Sequence, residues 1–264
     1  MKFYDKKNRR LIVIERKATP RFWDQHWAVG EIRKKIKAGI NNRLIKKYTF
    51  KFLKPGTKIL EGGCGLGQNV YGLSQWGYDS YGVDFAENTI KKIKKEFPEL
   101  KISVQDVKKI NFPTNFFDGY WSLGVIEHFW DGYDKILQEA QRVIKPNGYL
   151  FLTFPYMSPL RRLKAKLNFY KIFQNYSDNN FYEFIFDNNQ VKKRVEKYGF
   201  SFCLKYPFDA TKGLKDEIFL LKPFLQKVYN SRNIIAKGVK LLCAILFSKI
   251  ASHMVLLVFR KDEK

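Results

Sequence analysis

The chain has 264 residues, 45% of them hydrophobic, enough for one α/β domain with elaborations and a sizeable core rather than two full domains. Its 49 lysines and arginines face 25 acids, a net charge of +24 that admits nucleic acid, an anionic membrane or acidic substrates as partners, and equally the plain composition of an A/T-rich genome. Three scattered cysteines, Cys64, Cys203 and Cys243, exclude a disulfide framework, and the first seven residues lack the apolar core of a signal peptide, so a reducing cytoplasm is expected.

In chain order, an aromatic segment from Arg21 to Trp27 precedes the first regular signal. Lys58 to Gly67 reads as an apolar strand ending in Glu61, then Gly63, Gly65 and Gly67, with a helix running on to Trp76. Closely spaced glycines let backbone approach a ligand, and strand, glycine turn and helix form the nucleotide crevice of an open α/β sheet. The glycines alternate, which fits neither the dinucleotide fingerprint nor the P-loop. Asp79 to Asp84 is a strand ending in a carboxylate, about 20 residues on, where such a sheet sets an acid against ribose hydroxyls. A helix opens at Ala86, so capping it is a second duty compatible with the first.

Lys101 to Val107 repeats the pattern of strand and acid at Asp106. Phe117 to His128 is apolar and aromatic without alternation, as in a central strand buried on both faces. A helix from Tyr133 to Ile144, a stop at Lys145 to Gly148 and a fifth strand, Tyr149 to Phe154, follow. Asp187 to Gly199 reads as a helix, Phe200 to Phe208 as the sixth strand and His253 to Arg260 as the seventh. Two stretches, Pro155 to Ser177 and Ile218 to Lys261, contain no Asp or Glu. In the second, cations interleave with apolar residues over 222–247, which reads as a basic amphipathic helix in a membrane interface or as a helical lid packed on the domain. It is too short to span a bilayer.

Glu61 to Gly67 as E-x-G-x-G-x-G, then Asp84, Asp106, the strand into Glu127-His128 and Lys-Pro-Asn-Gly148, all in this order, resemble the class I S-adenosylmethionine-dependent methyltransferases. The resemblance implies an α/β fold: a Rossmann-like seven-stranded sheet of order 3-2-1-4-5-7-6, last strand antiparallel, with helices on both faces. It implies S-adenosyl-L-methionine as cofactor, held by Glu61, Gly62, Gly63, Gly65, Gly67, Asp84, Phe85, Gln105, Asp106, Val107 and Leu123. Residues 1–50 become a helical extension capping the cofactor, and 51–264 the methyltransferase domain. Insertions at about 155–186 and 213–252 leave the carboxyl edge of the sheet, on the active-site side. The C-terminal third, including Phe181 to Phe186 and Pro207 to Asp216, resembles one prokaryotic branch whose acceptors are generally unassigned.

Methyl transfer needs alignment of acceptor, methyl and sulfur, and removal of a proton where the acceptor carries one. His128, at the rim, is the candidate base, with Glu127 beside it; quinone O-methyltransferases carry a similar pair, yet two adjacent residues make no metal site. Trp23, His26 and Tyr156 are candidates for the substrate side, while Cys64 and His253 read as structural. The expected enzyme methylates a small-molecule, glycan or lipid-linked acceptor at oxygen, at the inner face of a membrane or free in the cytoplasm. An RNA methyltransferase is the second reading, although no amino-directed Asn/Asp-Pro-Pro-Tyr/Phe motif is present. A non-catalytic module that keeps the cofactor fold is the third.

Overall fold

The structure, a computed structural model, describes residues 1–264 except 16, 28, 29, 175–179, 232 and 264. In chain order the elements are β1 (Lys2–Asp5), β2 (Arg10–Ile14), α1 (Pro20–Trp27), α2 (Ile32–Lys37), α3 (Arg43–Phe52), β3 (Lys58–Gly62), α4 (Gln68–Gln75), β4 (Asp79–Asp84), α5 (Glu87–Glu96), β5 (Lys101–Val104), β6 (Phe117–Leu123), α6 (Asp134–Val143) and β7 (Ile144–Pro155). There follow α7 (Pro159–Lys166), β8 (Lys171–Ile172), β9 (Phe181–Ile185), α8 (Asn188–Glu196), β10 (Phe200–Phe208), α9 (Ala210–Glu217), α10 (Lys222–Asn230), α11 (Ile234–Ala251) and β11 (Met254–Lys261).

Seven strands pair in the order β10-β11-β7-β6-β3-β4-β5, which in chain order of these strands is the expected 3-2-1-4-5-7-6. Only β11 runs antiparallel to its neighbours. Successive side chains serve opposite faces of the sheet. Leu60, Val83, Tyr120 and Leu152 pack with Ile136 and Val143 of α6 and Val191 of α8, whereas Ile59, Trp121 and Phe151 pack with Ile45 and Tyr48 of α3. Both faces are therefore buried, which explains why β6 shows no regular alternation of apolar and polar residues. The expected stop at Lys145 to Gly148 lies inside β7 as a break in its register with β6, because Asn147 takes a left-handed φ of 64° and the strand resumes at Tyr149. β5 ends at Val104, before Asp106, so that acid sits in a loop rather than on a strand end.

The first fifty residues are not wholly helical. β1 and β2 form a hairpin whose turn is closed by Asn8 and Arg10 donating to the Asp5 carboxylate. Phe3, Leu11 and Ile12 are buried because the hairpin gains β8 and β9 as further strands, in the order β8-β1-β2-β9. Those partners come from the insertion after β7, so the two regions of the sequence build one four-stranded sheet. The pairing is remote in sequence, and strands this short give little local signal.

Both insertions start from the same edge of the large sheet, since β7 and β10 each run antiparallel to β11. A buried ion cluster joins them. Arg161 of α7, fully buried, donates from Nε to Glu217 of α9 at 2.9 Å and from Nη2 to His253 Nδ1 at 2.8 Å. Glu217 also receives Lys2 at 2.6 Å, Lys164 at 2.9 Å and the Tyr170 hydroxyl at 2.5 Å. Burial raises the Glu217 pKa, but Arg161 and Lys2 outweigh it and hold the carboxyl at about 2. His253 accepts from Arg161 and is held neutral by burial and the surrounding cations, the structural role expected of it.

Removing one partner of a buried pair strands the others. Glu217→Gln should lower unfolding free energy by roughly 3 kcal/mol at pH 7, read from urea denaturation. A folded pKa of about 2 against an ordinary 4.5 means that the carboxylate's contribution is complete above pH 4.5 and fades as pH falls toward 2. Stability curves of the wild type and the variant should therefore converge in acid.

Candidate functional site

The glycine turn forms the floor of the site. Its shape is set by Asp84 at the end of β4, whose two carboxylate oxygens accept from Gly65 N at 2.8 Å and Ala86 N at 2.9 Å. Gly63 and Gly65 adopt φ of 74° and 51°, and side chains there would strike Val125 and Trp27 respectively. An added Cβ at Gly65 would lie 2.7 Å from the Trp27 ring. Glu61, 2% exposed under the turn, accepts from Asn69 at 2.7 Å through Oε1, while its Oε2 has no hydrogen-bond partner. Burial pushes its pKa up to about 8. Gly62 ends β3, and Gly67 precedes α4.

The other expected cofactor residues follow β4 and β5 or end β6. Phe85 follows Asp84 and is half-buried, and Leu123 ends β6. Gln105 closes its own loop, donating to Ser103 Oγ and accepting from Asn111 N. Val107 is buried, whereas Asp106 is exposed and accepts from Lys108 N at 2.9 Å. Clefts flank the turn on both sides. One of about 700 Å³ is lined by Arg21, Asp24, Trp27, Leu66 and Asn88, and one of about 510 Å³ by Gln68, Asn69, Leu123, Gly124 and Thr153.

Helix α1 forms the roof. Phe22, Trp23, His26 and Trp27 recur at helical spacing and stack on one another, with Trp23 and Trp27 rings 6.1 Å apart and nearly parallel. Asp24 anchors the helix to the start of α5, accepting from Thr89 N and Oγ1 at 2.9 and 2.8 Å and from Asn88 at 2.9 Å. Trp23 sets its edge against the His128 ring at 5.1 Å, and Phe22 against Tyr182 at 5.9 Å. One aromatic ladder thus links Gly65 to His128. His26 lies on the exposed side of that ladder, while Tyr156 is buried in the core beside Phe186, apart from the ladder.

A second acid that sequence reasoning missed completes the rim. Glu183 of β9 meets Glu127 and His128, with one donor atom from each within 4.8 Å of the others. His128 Nδ1 donates to the Tyr182 carbonyl at 2.7 Å, so the neutral ring keeps its lone pair on Nε2. Burial holds the His128 pKa down at about 4, which leaves the ring neutral at pH 7. Burial pushes Glu183 up to about 7, opposed by Lys212 and Arg161. Glu127 is buried with one oxygen unpartnered, and burial and the Glu183 charge drive its pKa well up. The signal for Glu183 was its isolation as the one acid within Phe-Tyr-Glu-Phe-Ile-Phe186.

A family model described as a methyltransferase domain matches residues 60–152, the span from β3 to β7 that carries this floor. Over 102 residues the chain is 31% identical to 2-methyl-6-phytyl-1,4-hydroquinone methyltransferase of Synechocystis sp., covering 37% of this chain and 32% of that protein. Over 112 residues it is 32% identical to phosphoethanolamine N-methyltransferase 3 of Arabidopsis thaliana, covering 40% and 23%. Residues 60–152 thus match a methyltransferase domain, and both relatives are named as methyltransferases. An S-adenosylmethionine-dependent methyltransferase from Mesorhizobium loti shares its fold at a TM-score of 0.56 and 13% identity, over 84% of this chain and all of that one. The matched segments span a third or less of the two relatives, 32% and 23% of their lengths.

The residues of this methyltransferase domain fit the cofactor. Glu61 Oε2 is buried without a hydrogen-bond partner, and an ammonium group beside it would lower the raised pKa and favour the carboxylate. Each Asp84 oxygen accepts one backbone N–H and retains capacity for a ribose hydroxyl. The indole rings of Trp23 and Trp27 offer aromatic surface to a cation. Releasing the roof tests its part in this pocket. Asp24→Ala removes three hydrogen bonds at the start of α5 and should cost about 1 kcal/mol of stability. It should also weaken S-adenosylmethionine by roughly tenfold in calorimetry, the cost of one charge-assisted contact. Unchanged affinity would separate the roof from the cofactor.

Proposed function

We propose that the protein transfers a methyl group from S-adenosylmethionine to a hydroxyl of a small-molecule or lipid-linked acceptor. The observation that carries this reading is the meeting of Glu127, His128 and Glu183 at one end of the aromatic ladder whose other end rests on Gly65. A hydroxyl is a poor nucleophile until its proton is drawn away, and a base with a pKa near the working pH does this most effectively. When bound, the cofactor supplies an electrophilic methyl on a sulfonium.

The protein's own groups supply the rest. Glu183, at about 7, is the group matched to accept the acceptor's proton at neutral pH. His128, neutral and fixed by Tyr182, presents Nε2 as a second acceptor that orients the hydroxyl. This differs from the expectation of His128 as the candidate base, because its burial makes it weakly basic. In this reading the aromatic roof of α1 excludes water and holds the acceptor in line. The names of the two relatives give a hydroquinone and one nitrogen acceptor, so support for oxygen rests on the rim cluster alone.

The experiment that tests this is transfer of labelled methyl from S-adenosylmethionine into cell extract separated into lipid, small-molecule, protein and RNA pools. Label should enter the lipid or small-molecule pool; label in RNA would favour the nucleic-acid reading. With an acceptor in hand, the rate should rise with pH through about 7, since Glu183 must be ionised to take a proton. Glu183→Gln should remove that limb and lower kcat by about a hundredfold, the usual scale of general-base loss. The same three donors suit a divalent cation. Turnover that survives exhaustive EDTA supports the base reading, and loss restored by one cation would make the cluster a metal centre.

A further inference from the structure

The second basic insertion is covered on one side only. Helix α11 packs through Ala236, Cys243 and Ala251 against α7, α9 and α10, a narrow stripe of small side chains. The rest of its surface is apolar and faces outward: Ile234 is 85% exposed, Ile235 74%, Leu241 62% and Ile245 68%. The 3-10 turn before α10 adds Phe219 and Leu220, at 84% and 87%. Of the 22 large hydrophobic side chains exposed among the described residues, 13 lie between 219 and 250. A helix apolar around most of its circumference ordinarily lies in a core or in lipid, and a patch this extended marks an interaction surface.

We infer that this face docks on the surface of an anionic lipid bilayer. Charge chooses the partner. Lys222, Lys227, Lys237 and Lys249 are exposed among these apolar residues, and no Asp or Glu occurs from Ile218 to Lys261 to balance them. Apolar side chains that enter the acyl boundary with lysines at headgroup level make the pattern of an interfacial helix, and cations there gain from anionic lipid. A second copy of the chain would bring the same lysines face to face, a repulsion that the chain's +24 charge strengthens. Helix α11 carries three lysines, and no described helix is long and apolar enough to cross a membrane, so the contact lies along the surface.

The location gives docking a use. Helices α9 to α11 leave β10 at the carboxyl edge of the sheet, the edge that also carries the glycine turn and Glu127-His128. Docking would hold the methyltransferase edge near the bilayer, where a lipid-linked acceptor resides. That consequence rests on the proposed function, whereas the docking itself does not.

Co-sedimentation of the full chain with lipid vesicles tests the inference without reference to activity. Vesicles of phosphatidylcholine with roughly one third phosphatidylglycerol should retain the protein, pure phosphatidylcholine should not, and added salt should release it. Leu241→Gln with Ile245→Gln, and separately Lys237→Glu with Lys249→Glu, should each reduce partitioning by at least about tenfold. These positions are exposed, so thermal unfolding should be unchanged and would reveal a misfolded variant. Failure to bind anionic vesicles overturns the proposal, as does equal binding of neutral ones or full binding by either pair of substitutions. A concentration-dependent dimer abolished by Leu241→Gln with Ile245→Gln, without vesicle binding, would assign the face to a second copy instead. Retention on RNA lost in the lysine variant, again without vesicle binding, would assign it to nucleic acid.

Discussion

The donor half of the site depends on one carboxylate. Asp84 accepts from Gly65 N and Ala86 N, so it ties the glycine turn after β3 to the start of the helix after β4. Burial raises its pKa, and backbone donors at Ala86, Gly65 and Phe85 oppose that rise. The turn can take left-handed φ at Gly63 and Gly65 because nothing but backbone is required there, and that permits Trp27 to pack directly on it. Floor and roof are consequences of the same bond: without an acceptor at 84, the Gly65 amide would be buried unpaired.

The proposed acceptor half is assembled from sequence-distant pieces. Glu127 and His128 leave the central strand β6, while Tyr182 and Glu183 arrive on β9, which belongs to the small sheet formed with the N-terminal hairpin. The carbonyl of Tyr182 chooses the His128 tautomer, and the neighbouring residue supplies the second carboxylate. In the proposed reaction the small sheet is therefore part of the chemistry. Its attachment relies on Glu217, where Lys2 of β1, Arg161 and Lys164 of α7 and Tyr170 converge on one buried carboxylate.

Much of this was legible in the sequence because strand ends in a parallel sheet carry their motifs with them. The strand positions and the floor residues Glu61, Gly63, Gly65 and Asp84 follow from apolar runs ending in acids or glycines, while the seven-strand order is what the family resemblance implied. What stayed hidden is non-local. Lys2–Asp5 and Phe181–Ile185 are short strands whose partners lie far along the chain, and nothing near Glu183 points to His128. Asp106, a cofactor contact by the resemblance, lies exposed in the loop after β5 and accepts from Lys108 N. Over residues 222–247, periodicity marks which residues are apolar and not which of them another element covers. Only the fold shows that α11 is covered along a stripe of small residues.

Calorimetry of S-adenosylmethionine with the wild type, Asp84→Ala and Asp106→Ala tests the central claim most directly. The expected result is saturable one-site binding, lost by roughly a hundredfold or more in Asp84→Ala, which forfeits charge-assisted contacts and the turn's anchor together. Asp106→Ala should bind nearly as the wild type does, because its carboxylate is exposed and engaged with Lys108. Equal affinity for Asp84→Ala and the wild type, or tighter binding of NAD than of S-adenosylmethionine, would contradict the assignment of this turn to a methyl donor.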